Sequence, residues 1–191
     1  MNLDAFFNQL AANASRNYKI EQLEANRDDQ LLIQVVRLAL DPFTQFYIRK
    51  IPAYSRGTDT ANLKWALDKL YDLSSRTVTG NAAIAHLVKV LESLQPEDAK
   101  VIERIIQKDL KCGVQASTAN VVWTGLVSEY PVMLCSAFDQ KLVDKVQFPA
   151  LVQTKMDGMR FNAIVRDGKV EFRSRNGKEI QLLGNLEDDF P

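Results

Sequence analysis

Phe148-Pro149-Ala150-Leu151-Val152-Gln153-Thr154-Lys155-Met156-Asp157-Gly158-Met159-Arg160 is the stretch on which the reading of this chain turns. From Phe148 to Val152 it is an apolar run, which at this length reads as a buried strand. Lys155 closes the segment, Asp157-Gly158 marks a tight turn, and Arg160 belongs to a second, alternating run from Met159 to Arg166. The K-x-D-G-x-R spacing therefore sets a primary amine at the lip of a sheet with an arginine across a turn. Those are the groups needed to attack phosphorus and to offset the charge that builds on it. A strand ending in a solvated lysine before a glycine turn would show the same six residues, so the spacing leaves both readings open.

The residues that follow carry a second signal. Arg166-Asp167-Gly168-Lys169 places Asp-Gly between two alternating stretches, the pattern of a two-residue hairpin. The second stretch, Val170 to Ser174, runs into Ser174-Arg175-Asn176-Gly177-Lys178-Glu179. Side chains alternate along a strand, so Arg173 and Arg175 should share a face and Phe172 should point the other way. From 155 to 178 the cations are Lys155, Arg160, Arg166, Lys169, Arg173, Arg175 and Lys178, against Asp157, Asp167 and Glu171 alone. That local excess suits an anionic ligand such as a nucleotide or a nucleic-acid phosphate. Ser174 to Glu179 taken by itself also fits a plain surface turn.

Upstream the period differs. As far as about Val127, apolar residues recur at three and four, as in Leu31, Val35, Leu38 and Ala39, in Leu63, Leu67 and Leu70, and in Ile84, Leu87, Val88 and Leu91. Asp41-Pro42 and Ile51-Pro52 mark stops or starts, because proline disfavours helix in the residue before it. Pro96-Glu97-Asp98 predicts a helix start, with the helix running to Lys111 or Cys112 and Gly113 taking a left-handed position after it. Tyr130-Pro131 and Ser136 to Lys145 read as connection. The boundary is placed accordingly, with a helical domain over 1–129 and a strand-forming one over 130–191. Two helical turns present candidate phosphate contacts: Thr79-Gly80-Asn81, and Lys111-Cys112-Gly113 followed by Gln115-Ala116-Ser117. Contacts of that kind position a duplex without reading its sequence. Ordinary helix capping would produce the same residues.

Composition narrows the classes without choosing among them. The chain has 191 residues, 46% hydrophobic and 25% charged, and its 24 Lys plus Arg balance 24 Asp plus Glu. Any nucleic-acid binding must rest on local patches rather than on net charge. The start Met1-Asn2-Leu3-Asp4 lacks the basic and apolar regions of a signal peptide, and no apolar run is long enough to span a bilayer. Cys112 and Cys135 form neither a metal-ligand pattern nor a disulfide scaffold, so a reducing cytoplasm is expected. His86 has no partner histidine and reads as a packed or half-exposed helix residue. Trp65 and Trp123 read as core anchors. Phe6-Phe7, and Phe43 with Phe46-Tyr47, lie at helical spacing and are expected to pack.

With these residues in place the chain resembles a known family. K-x-D-G-x-R at 155–160, followed by a strand and Ser174-Arg175-Asn176-Gly177, resembles the opening of the nucleotidyltransferase domain of ATP-dependent polynucleotide ligases. The closer resemblance is to the DNA ligases of T-even-type bacteriophages. Their helical amino-terminal region is echoed in Thr79-Gly80-Asn81-Ala82-Ala83-Ile84, in Asp109-Leu110-Lys111-Cys112-Gly113, in Ala119-Asn120 with Trp123, and in Phe148-Pro149-Ala150. The resemblance runs over nearly the whole chain. It implies an all-helical DNA-binding domain followed by the opening antiparallel strands of a nucleotidyltransferase (adenylation) domain.

The same resemblance implies the chemistry. Lys155 would attack the α-phosphorus of ATP, with Mg²⁺, and become a lysine adenylate. Arg160 would contact the ribose and phosphate region, and Arg175 a phosphate of the nucleotide or of the nicked strand. Gln153 and Thr154 precede the nucleophile where the family holds the adenine edge, although many relatives carry Glu in place of Gln153. Asp157 and Gly158 would support the site. Thr79, Gly80, Asn81, Lys111 and Gly113 would meet nicked double-stranded DNA. The chain would act as a monomer, without a membrane. It stops at Pro191, before the family's ribose-binding carboxylate, adenine-stacking aromatic, metal-binding acid, paired lysines and oligonucleotide-binding-fold domain. It is therefore read as the front part of a ligase that would need its carboxy-terminal part to seal DNA, with no metal ligand of its own. An RNA ligase or mRNA-capping guanylyltransferase shares the lysine motif, but usually lacks a long helical domain before it. An inert DNA-binding module is the non-enzymatic alternative.

Overall fold

The computed structural model describes residues 1–48, 50–55, 57–129, 136–154, 157–174, 177, 179–180, 186 and 189. The chain divides into two units, Met1–Glu129 and Tyr130–Pro191. The described helices of the first unit are α1 (Leu3–Ala11), α2 (Arg16–Ala25), α3 (Gln30–Leu40), α4 (Leu63–Lys69), α5 (Tyr71–Ser74), α6 (Gly80–Glu92), α7 (Pro96–Ile106) and α8 (Ala116–Val122). Several begin where a polar side chain can satisfy an orphan amide. Asn2, Ser15, Asp29 and Asn62 accept from the first turns of α1, α2, α3 and α4, and Asp29 takes two amides.

Helix α7 sits centrally in this unit, packed by α1, α3, α4 and α6. Pro96 fixes its first turn and Glu97 and Asp98 face the positive end of its dipole. Ala99, Val101, Ile102, Ile105 and Ile106 are buried, so its apolar residues are covered from several sides. They join Phe7 and Leu10 of α1, Leu23 of α2, Leu32, Val35 and Val36 of α3, and Leu87 and Leu91 of α6 in one core. Asp98 accepts a backbone hydrogen bond from Leu63, which ties α7 to the start of α4; burial pushes its carboxyl above the usual range.

Helix α7 stops at Ile106, short of the expected Lys111 or Cys112. Lys108 adopts φ +57, and the amides of Lys108 and Asp109 return to the carbonyls of Ile105 (3.0 Å) and Arg104 (3.1 Å). This is a Schellman ending with lysine where glycine is usual. The Lys108 ammonium donates to the Leu38 and Asp41 carbonyls at 2.6 Å each, satisfying the carboxyl end of α3. That tertiary contact holds a residue type that sequence alone would not place in the left-handed region. Gly113 is left-handed too (φ +71), but in a separate turn beyond the helix.

The connection between α3 and α4 is long and irregular, yet pinned to α6 and α7. The Tyr54 hydroxyl donates to Glu103 Oε1 (2.6 Å), the Ser55 amide to Glu92 Oε1 (2.9 Å), and the Thr58 amide to the Glu92 carbonyl (2.7 Å). At Gly57 an added Cβ would lie 1.6 Å from the Leu94 carbonyl oxygen, so only glycine fits. The expected packing of aromatics here holds in part. Phe46 is buried, but Phe43 and Tyr47 are exposed, because residues 41–48 form no helix and their spacing carries no helical face. Tyr47 instead lies under the Arg76 guanidinium. Trp65 and Trp123 pack against the core, and Trp123 Nε1 donates to the Arg27 carbonyl (2.9 Å). His86 is half-buried beside the Lys69 carbonyl.

In the second unit a short helix α9 (Gln140–Val143) interrupts what was expected to be plain connection. Strands β1 (Phe161–Arg166) and β2 (Lys169–Ser174) then pair antiparallel, with Arg166 opposite Lys169. Asp167 (φ +50) and Gly168 (φ +69) are both left-handed, the requirement of the hairpin turn that Asp-Gly predicts. Phe161 and Phe172 meet edge to face at 5.5 Å. The expected buried strand from Phe148 to Val152 is absent: Phe148, Leu151 and Val152 are 81%, 82% and 92% exposed. Among the described residues no strand lies beside this run, and an apolar segment without a ladder partner and a covering layer stays in solvent. Among the described residues no helix is long and apolar enough to cross a membrane.

Candidate functional site

Lys155 and Arg175 lie outside the described residues. Their neighbours are described: Gln153, Thr154, Asp157, Gly158 and Arg160 are all exposed, in the irregular segment leading into β1. Arg160 directly precedes the first paired residue, Phe161, so the hairpin fixes the backbone on its carboxyl side. At the far end of β2, the Gly177 amide donates to the Ser174 carbonyl (2.9 Å). Arg173 donates to the Gly177 carbonyl (3.0 Å) and to Glu171, and its backbone bridges Glu179. Among the described residues no group of three or more His, Cys, Asp or Glu side chains could hold a metal ion.

The two helical turns of the first unit differ in build. At the start of α6, Thr79 is extended and makes no side-chain cap, Gly80 is left-handed (φ +57), and Thr79, Gly80 and Asn81 are exposed. Donors left uncapped at the positive end of a helix suit an anion. Around Lys111 the turn is built from below. Arg104, buried, donates through Nη1 to the Leu110 carbonyl (2.5 Å) and through Nη2 to Asp4 (2.8 Å) and Asn8 (2.7 Å). The Lys111 amide donates to Asp109 Oδ1 (2.8 Å), and Lys111 is left-handed at φ +53. Lys111 and Gly113 are exposed while Cys112 between them is buried, and burial pushes the Cys112 thiol up.

Two further cations come from α2, one to this turn and one to the start of α8. Arg16 donates to the Ser117 carbonyl (3.3 Å), and the Lys19 ammonium lies against Gly113, 2.6 Å from where a Cβ would stand. Sequence reasoning did not single out either one. Both sit in a polar helix far from the turn along the chain, and neither spacing nor composition links them to it.

The described residues form a helical unit and an antiparallel hairpin, and the chain is similar to known proteins over nearly its whole length. The chain superposes on solved structures titled "Pmar-Lig_Pre." (TM-score 0.69) and "Pmar-Lig_PreS3" (TM-score 0.66), each 26% identical. The alignments cover 97% of this chain and 45% and 46% of those chains respectively. In sequence, the chain is 37% identical over 96% of its length to the DNA ligase of Enterobacteria phage T4, and equally to that of Enterobacteria phage T6. The similarity to phage DNA ligases expected from the sequence is borne out. The chain spans 39% of the length of these two relatives. No protein-family model matches it.

Proposed function

We propose that this chain is part of an ATP-dependent DNA ligase, in which residues 1–129 bind nicked duplex DNA and residues 130–191 open the nucleotidyltransferase domain. The observation that carries this reading is 37% identity to phage DNA ligases along 96% of the chain. The span includes Lys155 at the head of K-x-D-G-x-R. The Lys155 amine attacks the α-phosphorus of ATP. A nitrogen–phosphorus bond forms, the bond to the bridging oxygen breaks, pyrophosphate departs, and the amine proton passes to solvent. The AMP group moves to a 5′-phosphate at the nick, and the adjacent 3′-hydroxyl displaces it.

The amine must be neutral to attack, and a nearby cation such as Arg160 favours that form while offsetting charge on the phosphate. Gln153 and Thr154 border the adenine, Arg175 meets a phosphate, and Asp157 and Gly158 shape the turn between nucleophile and arginine. Mg²⁺ bound with the nucleotide would further offset negative charge on the phosphate. Thr79, Gly80, Asn81, Lys111 and Gly113 meet duplex phosphates. The chain works as a monomer in a reducing cytoplasm.

Intact-mass spectrometry after incubation with ATP and Mg²⁺ tests this. Supplied with a carboxy-terminal ligase part, the unsubstituted chain is expected to gain one AMP, and Lys155→Ala to gain none. Lys155→Arg is expected to fail equally, because guanidinium stays protonated. An adduct surviving either change places the nucleophile elsewhere, and an unsubstituted chain that gains no AMP even with that part overturns the reading of residues 130–191.

A further inference from the structure

Lys19 is 8% exposed, and its ammonium lies against Gly113. Among the described residues no buried side-chain nitrogen or oxygen lacks a hydrogen-bond partner, so the ammonium, which makes no hydrogen bond or ion pair with a described residue, is the part of Lys19 that reaches solvent. The stem is buried and the charge is presented at the turn. The backbone amides of Cys112 and Gly113 find no acceptor among the described residues either. Arg16 and Lys111 add positive charge on either side.

We propose that Lys19, seated against Gly113 and flanked by Lys111, holds one backbone phosphodiester of duplex DNA on the Lys111–Gly113 turn. This rests on the DNA-binding reading above and adds to it a ligand from a different helix. Gly113 belongs to the arrangement, since an added Cβ would sit 2.6 Å from the ammonium and displace it. One phosphate neutralised by one lysine makes a defined contribution to the salt dependence of binding, independent of base sequence.

The test is fluorescence anisotropy of the whole chain with two nicked duplexes of unrelated sequence across a salt series. Lys19→Met keeps the length of the stem and removes the charge. It is expected to reduce the slope of log K against log salt by about 0.9 on both duplexes. An unchanged slope and affinity for folded Lys19→Met overturns the proposal, whereas no duplex binding by the unsubstituted chain at low salt overturns the DNA-binding reading itself. If Lys19→Met fails to fold, lysine side-chain NMR on the unsubstituted chain decides. The Lys19 resonance is expected to move with duplex and stay with ATP. A resonance that ignores bound duplex, or that moves with ATP alone, rejects a duplex phosphodiester as the partner.

Discussion

Arg104 shows how one side chain can hold a surface turn in place. It lies among the buried positions of α7, between Ile102 and Ile105, where helical periodicity calls for an apolar residue. Its planar fork reaches Asp4, Asn8 and the Leu110 carbonyl, and the guanidinium lies over the Phe7 ring. Asp4 is 100 positions away, so nothing local in the sequence identifies the pair. Removing one member of a buried pair leaves the other charge uncompensated, which costs far more than losing a surface ion pair. Arg104→Met is expected to lower unfolding stability by about 3–5 kcal/mol in urea denaturation. A loss below about 1 kcal/mol would show that Asp4 finds water or Lys100 as an adequate substitute.

At the scale of elements, Asp41-Pro42 after α3 and Pro96 at the start of α7 are local signals, and both mark real boundaries. Asp167-Gly168 fixed the hairpin because its two left-handed residues are a local demand of the turn. The end of α7 was not legible, since Lys108 is held left-handed by carbonyls of α3. The run from Phe148 to Val152 was misread for a related reason: apolar composition marks a strand only when a neighbour pairs with it. The α3–α4 connection carries its own pH dependence. Burial, then the hydrogen bond and charge of Glu103, push the Tyr54 hydroxyl from its ordinary 10.0 up to about 12. The fold therefore favours the neutral phenol. Its contribution is complete below pH 10 and is lost as pH rises toward about 12. Between those values Tyr54→Phe is expected to flatten the alkaline decline in stability, followed by circular dichroism melts. An unaltered decline would assign the effect to other groups.

At the scale of the molecule, the two units suggest two separable tasks. Duplex binding is proposed for the helical unit and adenylation for residues 130–191. Lys155→Ala is therefore expected to leave duplex affinity within about twofold of the unsubstituted chain at 0.15 M salt, where screening falls off over about 8 Å. Anisotropy titrations check this, and a tenfold loss would make Lys155 a principal DNA contact. The sequence carried the division into helical and strand-forming parts, because the hydrophobic period changes between them. The K-x-D-G-x-R spacing is legible in it as well, though its lysine lies outside the described residues. The sequence could not carry Lys19, whose meaning depends on α2 and the Lys111–Gly113 turn meeting in space.

Gly57 has a consequence for how this sequence can drift. The missing methyl is what lets a long irregular passage lie flat on the end of α6, so any other residue would lift it from Glu92 and Ser93 at once. The backbone around Leu94 is accordingly the fixed anvil against which the passage is shaped.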